Sequence, residues 1–165
     1  IKAANEFGIT KTMSLAGLLM FITDIHALGL KQTQGMYLTD SWYWNHNDET
    51  RAWAKRFEAK MKRKPTSLHA ADYSATMQYL QAIKKLGTDD PAKINAHLRT
   101  IKINDMYTKG GWVRADGTMV HDMYLMQVKT PAESKGAWDY YKVAQVIKGE
   151  AAWTTKEETK CALWK

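Results

Sequence analysis

Cysteine is nearly missing: Cys161 is the only one in 165 residues. No disulfide can close within the chain, and no cysteine-based metal cluster can assemble. Long apolar runs are missing as well. No stretch of 18 apolar residues occurs, so nothing reads as a membrane-spanning helix. Catalytic signatures are absent in turn: there is no HExxH, GxSxG, Walker loop or GxGxxG. His121 lies beside Asp122, but adjacent residues on a strand face opposite ways and do not converge on an ion. His46 and Asp48 form no larger cluster either. Cys161 stands near the end of the chain with no paired histidine, which reads as an incidental thiol rather than a nucleophile. These gaps point away from an enzyme and predict no metal and no cofactor.

The content that remains is that of a globular protein, 45% hydrophobic and 25% charged. The length suits one domain, or two unequal pieces of a larger one. Such a chain can bury about 70% of its unfolded surface and needs no staple to fold. Seven tryptophans and eight tyrosines supply flat, rigid contact area with a polar handle. The net charge is +7, spread along the chain except for a knot at Lys60, Lys62, Arg63 and Lys64. The knot reads either as phosphate contact or as cations complementing a helix C-terminus. The second reading is preferred, and no nucleic-acid partner is expected.

Hydrophobic periodicity gives the order of elements. Residues 1–8 read as the last turns of a helix stopped by Gly8, so the beginning of the protein is expected upstream of Ile1. A short buried strand is predicted at 12–16, then a helix at 18–28 with Leu18, Phe21, Ile22, Ile25 and Leu28 on one face, then a strand at 35–39. That alternation points to parallel α/β architecture. Trp42, Tyr43 and Trp44 follow in a connection where small polar residues are usual. Asn47 or Asp48 caps a helix with Trp53, Phe57 and Met61 on one face, closed by Pro65. A second helix carries Leu68, Ala71, Ala75, Tyr79, Ala82, Ile83 and Leu86 as its stripe, and Asp90-Pro91 opens a third, with Ile94, Leu98 and Ile101 inward. Beyond residue 104 come a hairpin turning at Ala115-Asp116-Gly117, a strand at 123–128, a polar loop at 130–136, a strand at 140–147 and a tail at 149–165.

This order resembles a type I periplasmic solute-binding protein of an ABC transporter, of the branched-chain amino acid and aromatic acid receptor class, in its C-terminal portion. The matching stretches are Ala3-Ala4-Asn5-Glu6-Phe7-Gly8-Ile9, Gly35-Met36-Tyr37-Leu38, His69-Ala70-Ala71-Asp72-Tyr73 through Ala82, Gly111-Trp112-Val113-Arg114-Ala115-Asp116-Gly117 and His121-Asp122-Met123-Tyr124-Leu125. The resemblance implies an α/β fold of two Rossmann-like lobes with a ligand clamped between them, here an incomplete fragment. It assigns 1–44 to the second lobe, 45–118 to the first and 119–148 to strands returning to the second. It implies transport of a small molecule, a periplasmic location and a membrane permease as partner. A ligand-sensing domain of a regulatory protein with the same fold is the rival.

The same resemblance places ligand contacts at Leu15, Ala16 and Gly17 and at Asp40, Trp42 and Trp44; Tyr73, near the start of the second long helix, is a further candidate because a helix N-terminus favours an anionic ligand. For Trp42 and Trp44 the alternative is bracing of the crossover; for Tyr73 it is interior packing. Amino-acid receptors of this class carry a carboxylate just after the strand matching 12–16, where it pairs the ligand's ammonium. Here the run is Ser14-Leu15-Ala16-Gly17, without charge. A buried ammonium without a partner is costly, so an aromatic or aliphatic carboxylate is expected as ligand rather than an α-amino acid. Open sheet edges would lead an isolated piece of this kind to dimerise or exchange strands.

Overall fold

The computed structural model describes residues 1–160, 162 and 164; Cys161 lies outside them. The chain divides into two compact units, residues 1–66 with 124–146, and residues 67–123 with 147–165.

The first unit opens with a short helix, α1 (Lys2–Glu6), and a 3-10 turn at Ile9–Lys11. Strand β1 is only Ala16–Gly17, later and shorter than the predicted 12–16. Helix α2 (Ile22–Leu28) starts four residues later than the apolar pattern suggests. The Asp24 carboxylate accepts from the Phe21 N–H at 2.8 Å and sets the start there. Leu18 and Leu19 therefore stay outside the helix, 96% and 83% exposed, while Ile22 and Ile25 are buried. A four-residue helix, α3 (Leu30–Thr33), follows Gly29, whose φ of 82° allows the break. Strand β2 (Tyr37–Asp40) pairs parallel with β1 and antiparallel with β6 (Met123–Val128), and β7 (Tyr141–Ile147) completes the order β1-β2-β6-β7. The sheet is mixed rather than purely parallel. Its core is Ile22, Ile25, Met36, Leu38, Met126, Val128 and Tyr141.

Helix α4 (Asp48–Met61) also belongs to this unit. Asn47 caps it, accepting from Thr50 N–H at 2.9 Å while its own N–H donates to Thr50 Oγ1 at 3.0 Å. Trp53 and Ala54 face inward, and Lys62 ends the helix in a left-handed conformation, φ 56°. The units part at residues 66–67, whereas the lobe exchange read from the sequence lies at 44–45.

The second unit holds α5 (Ser67–Leu86), α6 (Pro91–Leu98) and a separate sheet, β3 (Ile103–Asn104), β4 (Lys109–Val113) and β5 (Met119–Val120). The face that α5 buries is Ser67, Ala70, Ser74 and Ala82, while the predicted stripe residues Leu68, Tyr79 and Leu86 are 57%, 43% and 38% exposed. Of that stripe, Ala82 alone is fully buried. Small residues let a neighbour approach closely, and Ser74 donates to Asp105 at 2.6 Å. Helix α6 stops before Ile101, but Ile94 is buried as expected. At the hairpin, Arg114 grips Asp116 through two bonds of 2.6 and 3.0 Å across the turn.

Residues 149–160 are no loose tail. A 3-10 turn at Gly149–Ala152 brings Trp153 against His121, with Trp153 Nε1 donating to His121 O at 3.0 Å. Arg114 donates to Thr154 O at 2.9 Å and lies 3.7 Å from the Trp164 ring centre. The segment and the hairpin enclose a cavity of about 370 Å³ lined by Trp112, Arg114, Glu150, Trp153, Lys156 and Trp164.

Candidate functional site

In open α/β sheets ligands bind beyond the carboxyl ends of the strands. In the first unit those ends are Gly17 of β1 and Asp40 of β2, brought side by side by the register Ala16 to Tyr37 and Gly17 to Leu38. Gly17 is needed where it stands, because a Cβ there would sit 2.9 Å from Met20 Cβ and Sδ. Leu15 packs half-buried against the core, and Ala16 is exposed. Asp40 is buried, and its carboxylate accepts from Ser41 N–H at 2.8 Å. A polar cleft of about 240 Å³ lies at the opposite, amino ends of the same strands, among Asn5, Ser14, Gln32, Gln34 and Gln127.

The three rings after β2 have separate surroundings. Trp42 is 2% exposed and meets Trp53 edge to face at 5.5 Å, inside the unit. Tyr43 is buried beside Tyr141, ring centres 5.3 Å apart. Trp44 is half-buried, with the Lys64 ammonium 4.3 Å above its ring. His46 lies 4.7 Å from the Tyr124 ring; burial, with Arg51 nearby, lowers its pKa. Tyr73 belongs to the other unit, near the start of α5, and is 37% exposed rather than packed inside.

Residues 43–45 also converge on a group that falls between the polar loop at 130–136 and the strand at 140–147 and that the sequence reading left unassigned. The Asp139 carboxylate is 4% exposed. It accepts from Lys129 Nζ at 2.7 Å, Lys135 N–H at 3.0 Å, and Tyr43 Oη and Asn45 Nδ2 at 3.1 Å each. Burial alone would raise its pKa; the ammonium and the other donors outweigh burial and hold it at about 2. Next to it Trp138 adopts φ 70°, an uncommon backbone for a bulky residue. Its carbonyl accepts from Trp44 Nε1 at 2.7 Å, and its ring stacks on His26 at 4.0 Å, 8° from parallel. His26 Nδ1 lies 2.7 Å from Tyr140 Oη. The run Trp138-Asp139-Tyr140-Tyr141, one acid among three aromatic residues, was the signal available in sequence.

The arrangement brings together strand ends, a glycine-tight turn and a braced aromatic crossing. A family model described as periplasmic binding protein matches residues 1–137. The chain belongs to that family. A periplasmic binding protein from Burkholderia mallei is 62% identical to it, with a TM-score of 0.92 over 99% of this chain and 44% of that one. A branched-chain amino acid ABC transporter periplasmic ligand-binding protein from Burkholderia xenovorans is 45% identical, with a TM-score of 0.94 and the same coverage. A solute-binding protein from R. palustris, solved with benzoate, shares the fold at 17% identity, TM-score 0.63, over 83% of this chain and 36% of its own. No curated protein sequence matches. The chain thus spans under half the length of each of these structures. It carries the α/β fold of type I periplasmic binding proteins, as the order of its elements implied.

Proposed function

We propose that this chain is part of the extracytoplasmic solute-binding component of an ABC importer, holding a small carboxylate between two lobes and delivering it to a membrane permease. The observation that carries the reading is the match to periplasmic binding proteins over residues 1–137 together with 62% identity to a solved member. On this reading the two compact units represent parts of the two lobes, with chain exchange at residues 66–67, 123–124 and 146–147. Ligand contacts are proposed at Leu15, Ala16, Gly17, Asp40 and Trp44 of the first unit and at Tyr73 of the second, while Trp42, sealed against Trp53, braces the crossover. Binding without chemical conversion needs only complementary surface, in keeping with the role of such proteins.

The uncharged run Ser14-Leu15-Ala16-Gly17 favours an aromatic or aliphatic acid as ligand. One observation favours an α-amino acid instead: Asp40 places a carboxylate at the end of the neighbouring strand, two residues beyond the Gly17 register. Calorimetric titration of the protein carrying this chain with benzoate, cinnamate and leucine separates the two. Micromolar binding of an aromatic acid, with none of leucine, is expected. Leucine binding that disappears in Asp40→Asn would overturn the preferred ligand, and binding of no small acid of either kind would overturn the solute-binding reading.

A further inference from the structure

Helix α4 carries an outward surface that its own stability does not explain. Asp48 and Glu49 occupy the first turn, where the helix dipole favours acids. From residue 55 onward the exposed charges are Lys55, Arg56, Lys60, Lys62 and Arg63, all basic. Glu58, the acid among them, is taken by Lys64 at 2.6 Å. Lys62 turns back to Ala59 O at 2.9 Å, and Arg51 pairs with Asp48 at 2.6 Å. The side chains of Lys55, Arg56 and Lys60 make no ion pair or hydrogen bond with any described residue. A dipole argument covers the last turn and therefore Lys60, but not Lys55 and Arg56 further back. Worse for the free helix, Arg51 with Lys55 and Arg56 with Lys60 are like charges at i,i+4, a spacing that destabilises.

We propose that the outer face of α4 is a docking surface for an anionic phospholipid bilayer. Two features select a lipid surface over an acidic protein. The face has no exposed tryptophan or tyrosine to fill a pocket on a partner, and such anchors carry most protein–protein affinity. Its outward small residues, Ala52 and Ala59, leave the cations projecting as a diffuse sheet of charge suited to a field of phosphates. The inference rests on this helix surface alone and stands apart from the identity of the solute.

Co-sedimentation with vesicles of equimolar phosphatidylglycerol and phosphatidylethanolamine tests it, with phosphatidylcholine vesicles as the neutral control. Each cation near an anionic leaflet strengthens binding about fivefold, so the triple variant Lys55→Gln, Arg56→Gln, Lys60→Gln should bind on the order of a hundredfold more weakly. Binding should also vanish near 1 M salt, where the screening length falls to ~3 Å. The variant Lys84→Gln, Lys85→Gln, Lys93→Gln removes equal charge elsewhere and should bind like the parent. Circular dichroism confirms that both variants keep the fold. Equal loss in the two variants, or no preference for phosphatidylglycerol, overturns the assignment. Tighter capture by polyglutamate than by the vesicles also overturns it, in favour of an acidic protein partner. Titration with benzoate or leucine is read separately, so a failure here leaves the solute-binding reading untouched.

Discussion

Replacing Asp139 by alanine should unfold this chain more readily than any surface change. The carboxylate is 4% exposed and satisfies four donors, two of which have little alternative. The Lys129 side chain is 16% exposed, so its ammonium would lose its counter-ion in a mostly dry site. Removing one member of a buried pair costs about 3–5 kcal/mol, and leaving a buried hydroxyl such as Tyr43 Oη without its acceptor adds about 1 kcal/mol or more. Relaxation of Lys129 toward solvent offsets part of this, which leaves about 3–4 kcal/mol, a large share of the roughly 5–15 kcal/mol that holds a domain together. Urea unfolding followed by tryptophan fluorescence measures the loss. A pH series checks its electrostatic part. The native pKa is depressed from the ordinary 3.8 to about 2, so the stabilisation is complete above pH 4 and is lost as pH falls through about 2. That difference corresponds to about 2 kcal/mol. A double-mutant cycle of Asp139→Asn with Lys129→Met isolates the pair. A coupling below about 0.5 kcal/mol, the level of an exposed ion pair, would refute the buried-hub reasoning.

Two further substitutions should go the other way. Tyr141 Oη is buried with no hydrogen-bond partner among the described residues, and burial, with Asp40 and Tyr43 nearby, raises its pKa, so Tyr141→Phe should be neutral or stabilising by about 1 kcal/mol in the same urea assay. A loss of more than about 1 kcal/mol would show that the hydroxyl is bonded in solution. Lys62→Gly at the left-handed end of α4 should stabilise by about 0.5–1 kcal/mol, read as a raised melting temperature, because glycine takes φ 56° without a Cβ penalty. A lowered melting temperature would mean that the Lys62 bond to Ala59 O outweighs backbone strain.

Much of the fold was legible from local chemistry. Asn47 and Asp90 announce α4 and α6 because a side-chain oxygen at a helix start meets backbone donors only two or three residues away. The turn at Asp116-Gly117 and the span of β6 follow from equally short-range rules. The start of α2 differs from the expectation because Leu18 fits the apolar spacing, and spacing carries no information about where Asp24 will cap. The buried face of α5 was misread for a related reason. Periodicity selects the most apolar stripe, whereas close packing selected Ala70, Ser74 and Ala82.

What the sequence determined by itself was the succession of elements, and with it membership of the periplasmic binding protein family, since both depend on patterns within a few residues of one another. The fates of Trp42, Trp44 and Asp139 were decided only by the tertiary structure. Trp44 meets a carbonyl 94 residues away, and Asp139 draws Tyr43 and Asn45 across a similar span. An aromatic ring reads alike in sequence whether it will face a ligand or another indole. The choice is made by which distant donors and acceptors the sheet brings within hydrogen-bond reach, and that is a property of the folded chain.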